Sequence, residues 1–281
     1  MNILLADSGA TKTDWHLISD TGKETGLQTP GCHPLYTDEK TLGWMIKERV
    51  LSSVPAPDVV YFYGAGCHDE ETCRRVQTSL SSAFGELPIH VGSDMLGAAR
   101  ALCGREPGIA CILGTGSNSC QYDGVSITRQ IPALGYILGD EGSAAHLGRM
   151  VLQAYFYEEL PKEASRYLEK HHSMQKAHIV KEVYEKNRNS RFIASFSRLF
   201  AEFPDHPSLN RLLDRSFTEF IERHVLKYDL ADTTPVHFTG SVAWHHRDRL
   251  SLLLQNRNRV PGRFLRSPMP GLIKWHQKSR V

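Results

Sequence analysis

One pattern occurs twice in this chain: an apolar strand, a tight loop of glycine and hydroxyl residues, a second strand, then an Asp-Gly type turn. The first copy runs from Asn2-Ile3-Leu4-Leu5-Ala6 into Asp7-Ser8-Gly9-Ala10-Thr11-Lys12-Thr13 and closes at Asp20-Thr21-Gly22. The second runs from Ile109-Ala110-Cys111-Ile112-Leu113 into Gly114-Thr115-Gly116-Ser117-Asn118-Ser119 and closes at Asp123-Gly124. Small residues let a backbone approach a polyphosphate, and the N–H groups and hydroxyls of such loops donate to its oxygens. Two such loops facing one another would clamp a nucleotide. The first loop adds Asp7 at the end of a strand, a carboxylate suited to holding a hydrated Mg2+ against the phosphates.

The 281 residues suffice for one large domain or two ordinary ones, and 41% hydrophobic content can fill real cores. With 33 Lys+Arg against 31 Asp+Glu, the net charge of +2 leaves no electrostatic footprint for nucleic acid or an anionic membrane. Apolar stretches are interrupted well before a membrane span of ~18 residues. Met1 leads at once into a strand, so a signal peptide is not expected and the cytoplasm is. The six cysteines lack a C-x-x-C pair and are expected as reduced thiols, and the doublets His171-His172 and His245-His246 lack the spacing of a zinc helix.

Along the chain, turn chemistry between strand-like runs predicts a meander over 2–7, 13–18 and 23–29, then a helix over 38–51. Val59-Val60-Tyr61-Phe62-Tyr63 reads as a buried strand, 70–84 as a helix and 87–91 as a strand. Ser93-Asp94 then falls at a strand's carboxyl end, before a helix over 95–102, where open α/β sheets place ligands. The pattern restarts after Arg105-Glu106-Pro107-Gly108, a natural hinge, which makes an internal duplication plausible. Beyond it, Gly139-Asp140-Glu141-Gly142-Ser143 opens a helix with Ser143 as its cap, and amphipathic helices are expected over 192–203 and 207–228. A strand over 235–239 runs into Gly240-Ser241-Val242-Ala243, and a last helix starts after Pro270-Gly271.

The order of first phosphate loop, strand-end carboxylate, second phosphate loop, Gly-Asp-Glu-Gly helix start and Gly-Ser-Val turn resembles the BadF/BadG/BcrA/BcrD ATPase family. That family belongs to the sugar kinase/actin/hexokinase superfamily, and the N-acetylglucosamine kinase branch is the nearest. The resemblance implies an α/β chain of two ribonuclease H-like (actin-like ATPase) domains, with ATP and sugar in an inter-domain cleft. The domains are expected at 1–106, joined by a C-terminal helix 268–281, and at 107–267.

Carried over residue by residue, Asp94 resembles the family's catalytic base, which would take a proton from a sugar hydroxyl as it attacks the γ-phosphate. The other reading of Asp94 is a helix N-cap. ATP contacts are expected at Gly9, Ala10, Thr11, Lys12, Thr13, Gly114, Thr115, Gly116, Gly240 and Ser241, although Gly240 also suits a plain strand-to-helix turn. Asp7 and Asp140 are the expected Mg2+ carboxylates. The sugar is expected near His33, Ser117, Asn118, Gly135, Tyr136 and Asp140, and Asp140 and Glu141 have a second reading as favourable charge at a helix start. Cys32-His33 departs from the Asn common at this place in related kinases, and imidazole does not reproduce an amide's paired donor and acceptor. The implied activity is ATP-dependent phosphorylation of an amino sugar, N-acetylglucosamine at the 6-hydroxyl being the leading substrate. Its rivals are an ATPase activator of a reductase or dehydratase and a non-catalytic sugar sensor. The implied partner is a small amino sugar, with neither nucleic acid nor membrane, and a homodimer is left open.

Overall fold

The structure is a computed structural model describing residues 1–9, 12–21, 24–31, 39–185 and 189–278, without the side chains of 39 and 189. The assignments to Ala10, Thr11 and His33 lie outside the described residues, as do Gly22, Cys32 and the start of the helix expected at 38. The chain divides into two compact units, one built from Met1–Glu106 with Gly124–Ile127 and the segment from Ser267 onward, the other from Pro107–Asp123 and Thr128–Arg266.

The first unit holds a sheet ordered β3-β2-β1-β4-β5. β1 (Ile3–Ser8) lies at its centre, antiparallel to β2 (Lys12–Ile18) and parallel to β4 (Val59–Gly64). Burial on both faces explains its unbroken apolar run. β3 (Glu24–Pro30) flanks β2, and β5 (Ile89–Ser93) continues the parallel side. α1 (Glu39–Met45) passes into a π-helical turn over Ile46–Leu51, where the sequence suggested one uniform helix. α2 (Glu70–Phe84) begins at a capping box in which Asp69 accepts from Thr72 N at 2.7 Å. α3 (Asp94–Cys103) follows β5 directly. Leu4, Ala6, Trp15, Phe62, Val76 and Leu80 form part of the core.

The second unit repeats the plan, its sheet ordered β10-β9-β6-β7-β8. β6 (Gly108–Leu113) is central, antiparallel to β7 (Ser117–Tyr122) and parallel to β9 (Pro235–Thr239), with β8 (Ile127–Gln130) and β10 (Val260–Leu265) at the edges. Central strand, antiparallel hairpin and parallel pair recur in the same order, as a duplication requires.

Between β8 and β9 lies a helical block: α4 (Gly135–Leu138), α5 (Ala144–Phe156), α6 (Lys162–His171), α7 (Lys176–Tyr184), α8 (Asn189–Ser195), α9 (Leu199–Glu202) and α10 (Pro207–Arg223). The single helix expected over 192–203 is broken by a 3-10 turn at Phe196–Arg198. Ser195 and Ser197 there donate to the carbonyls of Phe192 (2.7 Å) and Ala194 (2.8 Å), side-chain bonds that compete with the helical ladder. α10 ends earlier than expected, and a 3-10 turn at Val225–Lys227 follows. Its stripe of Leu209, Leu213, Phe217, Phe220 and Ile221 is core, as the spacing indicates. α11 (Ser241–His245) and α12 (Arg247–Gln255) complete this unit, and α13 (Met269–Lys278) returns to pack on α3 in the first. Among the described residues no helix is long and apolar enough to cross a membrane, and none of the five described cysteines forms a disulfide.

Candidate active site

In the first unit the candidate groups gather at the carboxyl ends of β1 and β5. Asp94 is the first residue of α3, and the cap reading of it is corrected: Ser93 accepts from Leu96 N at 3.1 Å and serves as the N-cap. Asp94 is therefore not needed to start the helix. The residue as a whole is half-buried and protein crowds round the carboxyl, and this burial pushes its pKa up to about 6 against the pull of the Met95 N–H, its own N–H and His68. Such a group is ionised at neutral pH yet more basic than an ordinary aspartate.

Asp7 lies in register with Asp14 on β2 and Tyr63 on β4. Burial, reinforced by the charges of Asp94 and Asp14 and opposed by Lys12, raises its pKa to about 7. Lys12 itself is exposed and paired with Asp14 at 2.8 Å. Thr13 fares differently from the phosphate role suggested by sequence. Its side chain is buried, and its hydroxyl bonds Ser8 Oγ at 2.8 Å, which follows from Thr13 standing opposite Ser8 in the hairpin. Gly9 closes that hairpin by donating to Lys12 O at 2.9 Å.

In the second unit the loop Gly114–Gly116 is docked on the start of α5, because Ala144 N and Ala145 N donate to the carbonyls of Gly114 (2.9 Å) and Thr115 (3.0 Å). Ser143 caps α5 by accepting from His146 N at 3.1 Å, as read from sequence. A Cβ added at Gly114 would meet nothing within 4 Å, so no described neighbour accounts for glycine there. Gly116 is different. A Cβ there would stand 2.9 Å from Asp140 Oδ2, and Asp140 Oδ1 accepts from Ser117 N at 3.2 Å. Glycine at this position lets Asp140 lie against the loop.

Asp140 holds a left-handed backbone, φ 56°, which a non-glycine residue adopts at some energetic cost and which recurs at functional sites. Burial raises its pKa, with Ser117 N and Arg149 opposing. Glu141 departs from the expectation of charge at a helix start. It is buried and bonded to Arg223 Nη1 (2.5 Å) and His224 Nε2 (3.4 Å), and despite the upward pull of burial its own N–H and these partners hold its carboxyl below the usual range.

Ser117 is buried and its hydroxyl has no hydrogen-bond partner among the described residues; Asn118 Oδ1 accepts from Ser119 N (2.9 Å) and Gln130 Nε2 (3.0 Å). Gly135 and Tyr136 open the short helix α4, whose Tyr136 and Ile137 carbonyls are held by Arg149 at 3.2 and 3.0 Å. Gly240 answers to the turn reading. With φ 111° and a hypothetical Cβ only 2.3 Å from Leu113 O, it is required by its left-handed backbone and the close approach of the chain after β9 to the end of β6, while Ser241 is exposed at the start of α11. Sequence reasoning missed His68, Arg149 and His224. Each acts on an acid through tertiary contact, and Arg149 alone had a local cue, a cation two turns into a helix that begins beside Asp140.

The residues fit a hydrated Mg2+. That ion keeps several waters and takes one or two carboxylates beside substrate phosphates, so a preformed cage is not needed, and among the described residues no group of three or more His, Cys, Asp or Glu side chains forms one. Burial does most to raise Asp7 and the charges of Asp94 and Asp14 add to it, and a divalent cation would offset both.

No protein-family model matches the chain, and none of the curated proteins matches it. Solved structures do. One described as "Putative N-acetylglucosamine Kinase" from Porphyromonas gingivalis is 41% identical, spans 99% of this chain and 100% of that one, and superposes with a TM-score of 0.93. Another with the same description, from Chromobacterium violaceum, is 19% identical over 98% of each chain (TM-score 0.66). A ROK family glucokinase from Streptomyces griseus, solved with glucose and AMPPNP, is 15% identical over 100% of this chain and 99% of its own (TM-score 0.60). The latter two share the fold. At 41% identity over the full length of both chains, this protein belongs to the family of the Porphyromonas gingivalis protein, on the sugar kinase/actin/hexokinase fold.

Proposed function

We propose that this protein is an ATP-dependent kinase of an amino sugar, N-acetylglucosamine at its 6-hydroxyl, in the N-acetylglucosamine kinase branch of the BadF/BadG/BcrA/BcrD ATPase family, and that it works in the cytoplasm. The amino sugar follows the description of the Porphyromonas gingivalis relative. The observation that carries phosphoryl transfer is Asp94, a carboxylate raised to about 6 at a helix start that Ser93 already caps.

In this reading Asp94 accepts the proton of the sugar hydroxyl as its oxygen attacks the γ-phosphorus of ATP. The N–H groups of Met95 and of Asp94 itself aim the carboxylate. The glycine loops of Gly9 and Gly114–Gly116 admit phosphate oxygens close to the backbone, and the open space at Gly114 supports that role. Asp7 would hold the magnesium ion, which would supply neutralisation of charge on the phosphates. Asp140 serves the ion or grips sugar hydroxyls, and Asn118 and the Gly135-Tyr136 segment line the sugar.

The test is ADP release with Mg2+-ATP and a panel of hexoses, hexosamines and N-acetylated amino sugars. Stimulation greatest with N-acetylglucosamine is expected. No stimulation by any sugar refutes the kinase reading, and a different best sugar corrects the substrate alone.

A further inference from the structure

Behind Asp140 lies a line of side chains in the order of a hydrolytic triad: Glu141, His224, Ser119. His224 Nε2 is 3.4 Å from Glu141 Oε2, and Nδ1 is 3.3 Å from Ser119 Oγ. Ser119 is not a nucleophile. It is 0% exposed, and its Oγ lies 2.7 Å from Tyr228 OH.

The proton inventory gives the line a direction. Ile131 N can only donate, and it reaches Tyr228 OH at 3.2 Å. Burial pushes the Tyr228 phenol well above its ordinary pKa, so it keeps its proton, and the acceptor at hand is Ser119 Oγ. Ser119 then donates to His224 Nδ1. A neutral imidazole accepting at Nδ1 carries its proton on Nε2, and that proton meets the Glu141 carboxylate. Burial lowers the pKa of His224, in keeping with the neutral ring. Each hydroxyl and the imidazole both accepts and donates, so the bonds polarise one another in one sense from Ile131 to Glu141. Arg223 closes the far end on Glu141.

The places joined are those of the candidate site. Ile131 opens the segment that carries Gly135 and Tyr136, Ser119 follows Asn118, and Glu141 follows Asp140. We infer that the chain Ile131–Tyr228–Ser119–His224–Glu141 is a positioning relay that fixes the left-handed Asp140 against Gly116 and Ser117, with His224 and Tyr228 as positioning residues. Its bearing on turnover rests on the kinase reading, in which Asp140 touches metal or sugar. Its geometric part does not.

Two measurements test it on the full chain, with Tyr228→Phe, which removes one oxygen, and with Ser119→Ala should the first variant fail to fold. Hydrogen exchange by NMR reads the Ser117 amide, the donor to Asp140. About fivefold to tenfold faster exchange is expected, the worth of one hydrogen bond, with the β6 amides unchanged. Unchanged Ser117 protection in a folded variant overturns the relay. The second measurement is a double-mutant cycle on kcat/KM with Asp140→Asn, since Asn tolerates φ near +56°. Little further loss is expected when the relay variant is added to Asp140→Asn, while fully additive losses overturn action through Asp140. Absence of sugar-dependent ADP release in the wild type is a failure of the kinase reading, and the exchange result still decides the relay.

Discussion

Replacing Asp94 by Asn separates chemistry from architecture because the two respond in opposite directions. Asn keeps the size of the side chain and can still hydrogen-bond a hydroxyl, but it cannot take the proton. Loss of a general base lowers turnover by about 10²–10⁴-fold. The fold should gain. In the folded chain the carboxyl titrates at about 6 rather than its ordinary 3.8, so above pH 6 the folded state holds an anion that the unfolded chain solvates better. That difference corresponds to roughly 3 kcal/mol.

The sign follows from proton binding. Below 3.8 the group is protonated in both states and costs nothing. Between 3.8 and 6 the folded state holds more protons, so stability falls as pH rises through this window, and the full penalty stands at neutral pH. Asn carries no charge, and it also relieves Asp7 of a neighbour that raises its own carboxyl. The α3 cap belongs to Ser93 and is untouched. The variant should therefore melt several degrees above wild type at pH 7.5 and level with it near pH 3.5. Sugar-dependent ADP release gives the rate, calorimetry the retained binding of both ligands, and thermal unfolding at the two pH values the stability. Wild-type turnover refutes Asp94 as the base. A variant no more stable than wild type at pH 7.5 refutes the account of a crowded, ionised carboxylate.

In the wild type, kcat/KM should rise with pH through about 6 as Asp94 loses its proton, and a flat profile between pH 5 and 7.5 would contradict this. Gly114→Val should weaken ATP binding in calorimetry with little change in melting temperature, since its Cβ meets nothing described; full ATP affinity in the folded variant removes the phosphate role of that loop. Gly116→Val should instead displace Asp140 and weaken sugar or metal binding as well as nucleotide, so an effect confined to ATP would count against the contact inferred from the 2.9 Å approach. Gly240→Ala should destabilise the protein by about 3 kcal/mol, as strained backbone and a steric clash combine, and an unchanged melting temperature would show that β9 and β6 can part.

The duplicated plan was legible because both central strands are continuous apolar runs ending in glycine loops, a local signal that packing does not override. The Ser143 cap and the α10 stripe were legible for the same reason. Elements with little buried surface escaped. α6 buries only Ala164 and Leu168, α7 only Ile179, and β10 contains Pro261 and Gly262 at an edge with a register shift, where strand propensity is weak. At the candidate site, Asp94 could be picked out by its place after β5, but whether it or Ser93 capped α3 depended on which of the two held the extended backbone before the first helical turn. The unlike roles of Gly114 and Gly116 turn on Asp140, more than twenty residues away, and the fate of Glu141 turns on α10, farther still.

The two units share a strand order yet differ at matching places, and the difference has an electrostatic logic. Ser8 faces Thr13 across the first hairpin as Leu113 faces Ser117 across the second, so Asp7 matches Ile112. An acid stands in one unit where an aliphatic stands in the other. Asp7, Asp14 and Asp94 in the first unit have Lys12 as the cation among the groups that act on Asp7, whose rise to about 7 comes first from burial and then from the repulsion of the other two acids. In the second unit the acids next to the glycine loop are tempered, Glu141 by Arg223 and His224, Asp140 by Arg149. In the proposed kinase a divalent cation held by Asp7 would offset the first unit's acidic cluster, and Asp94, with its raised basicity, would accept the proton of the attacking sugar hydroxyl.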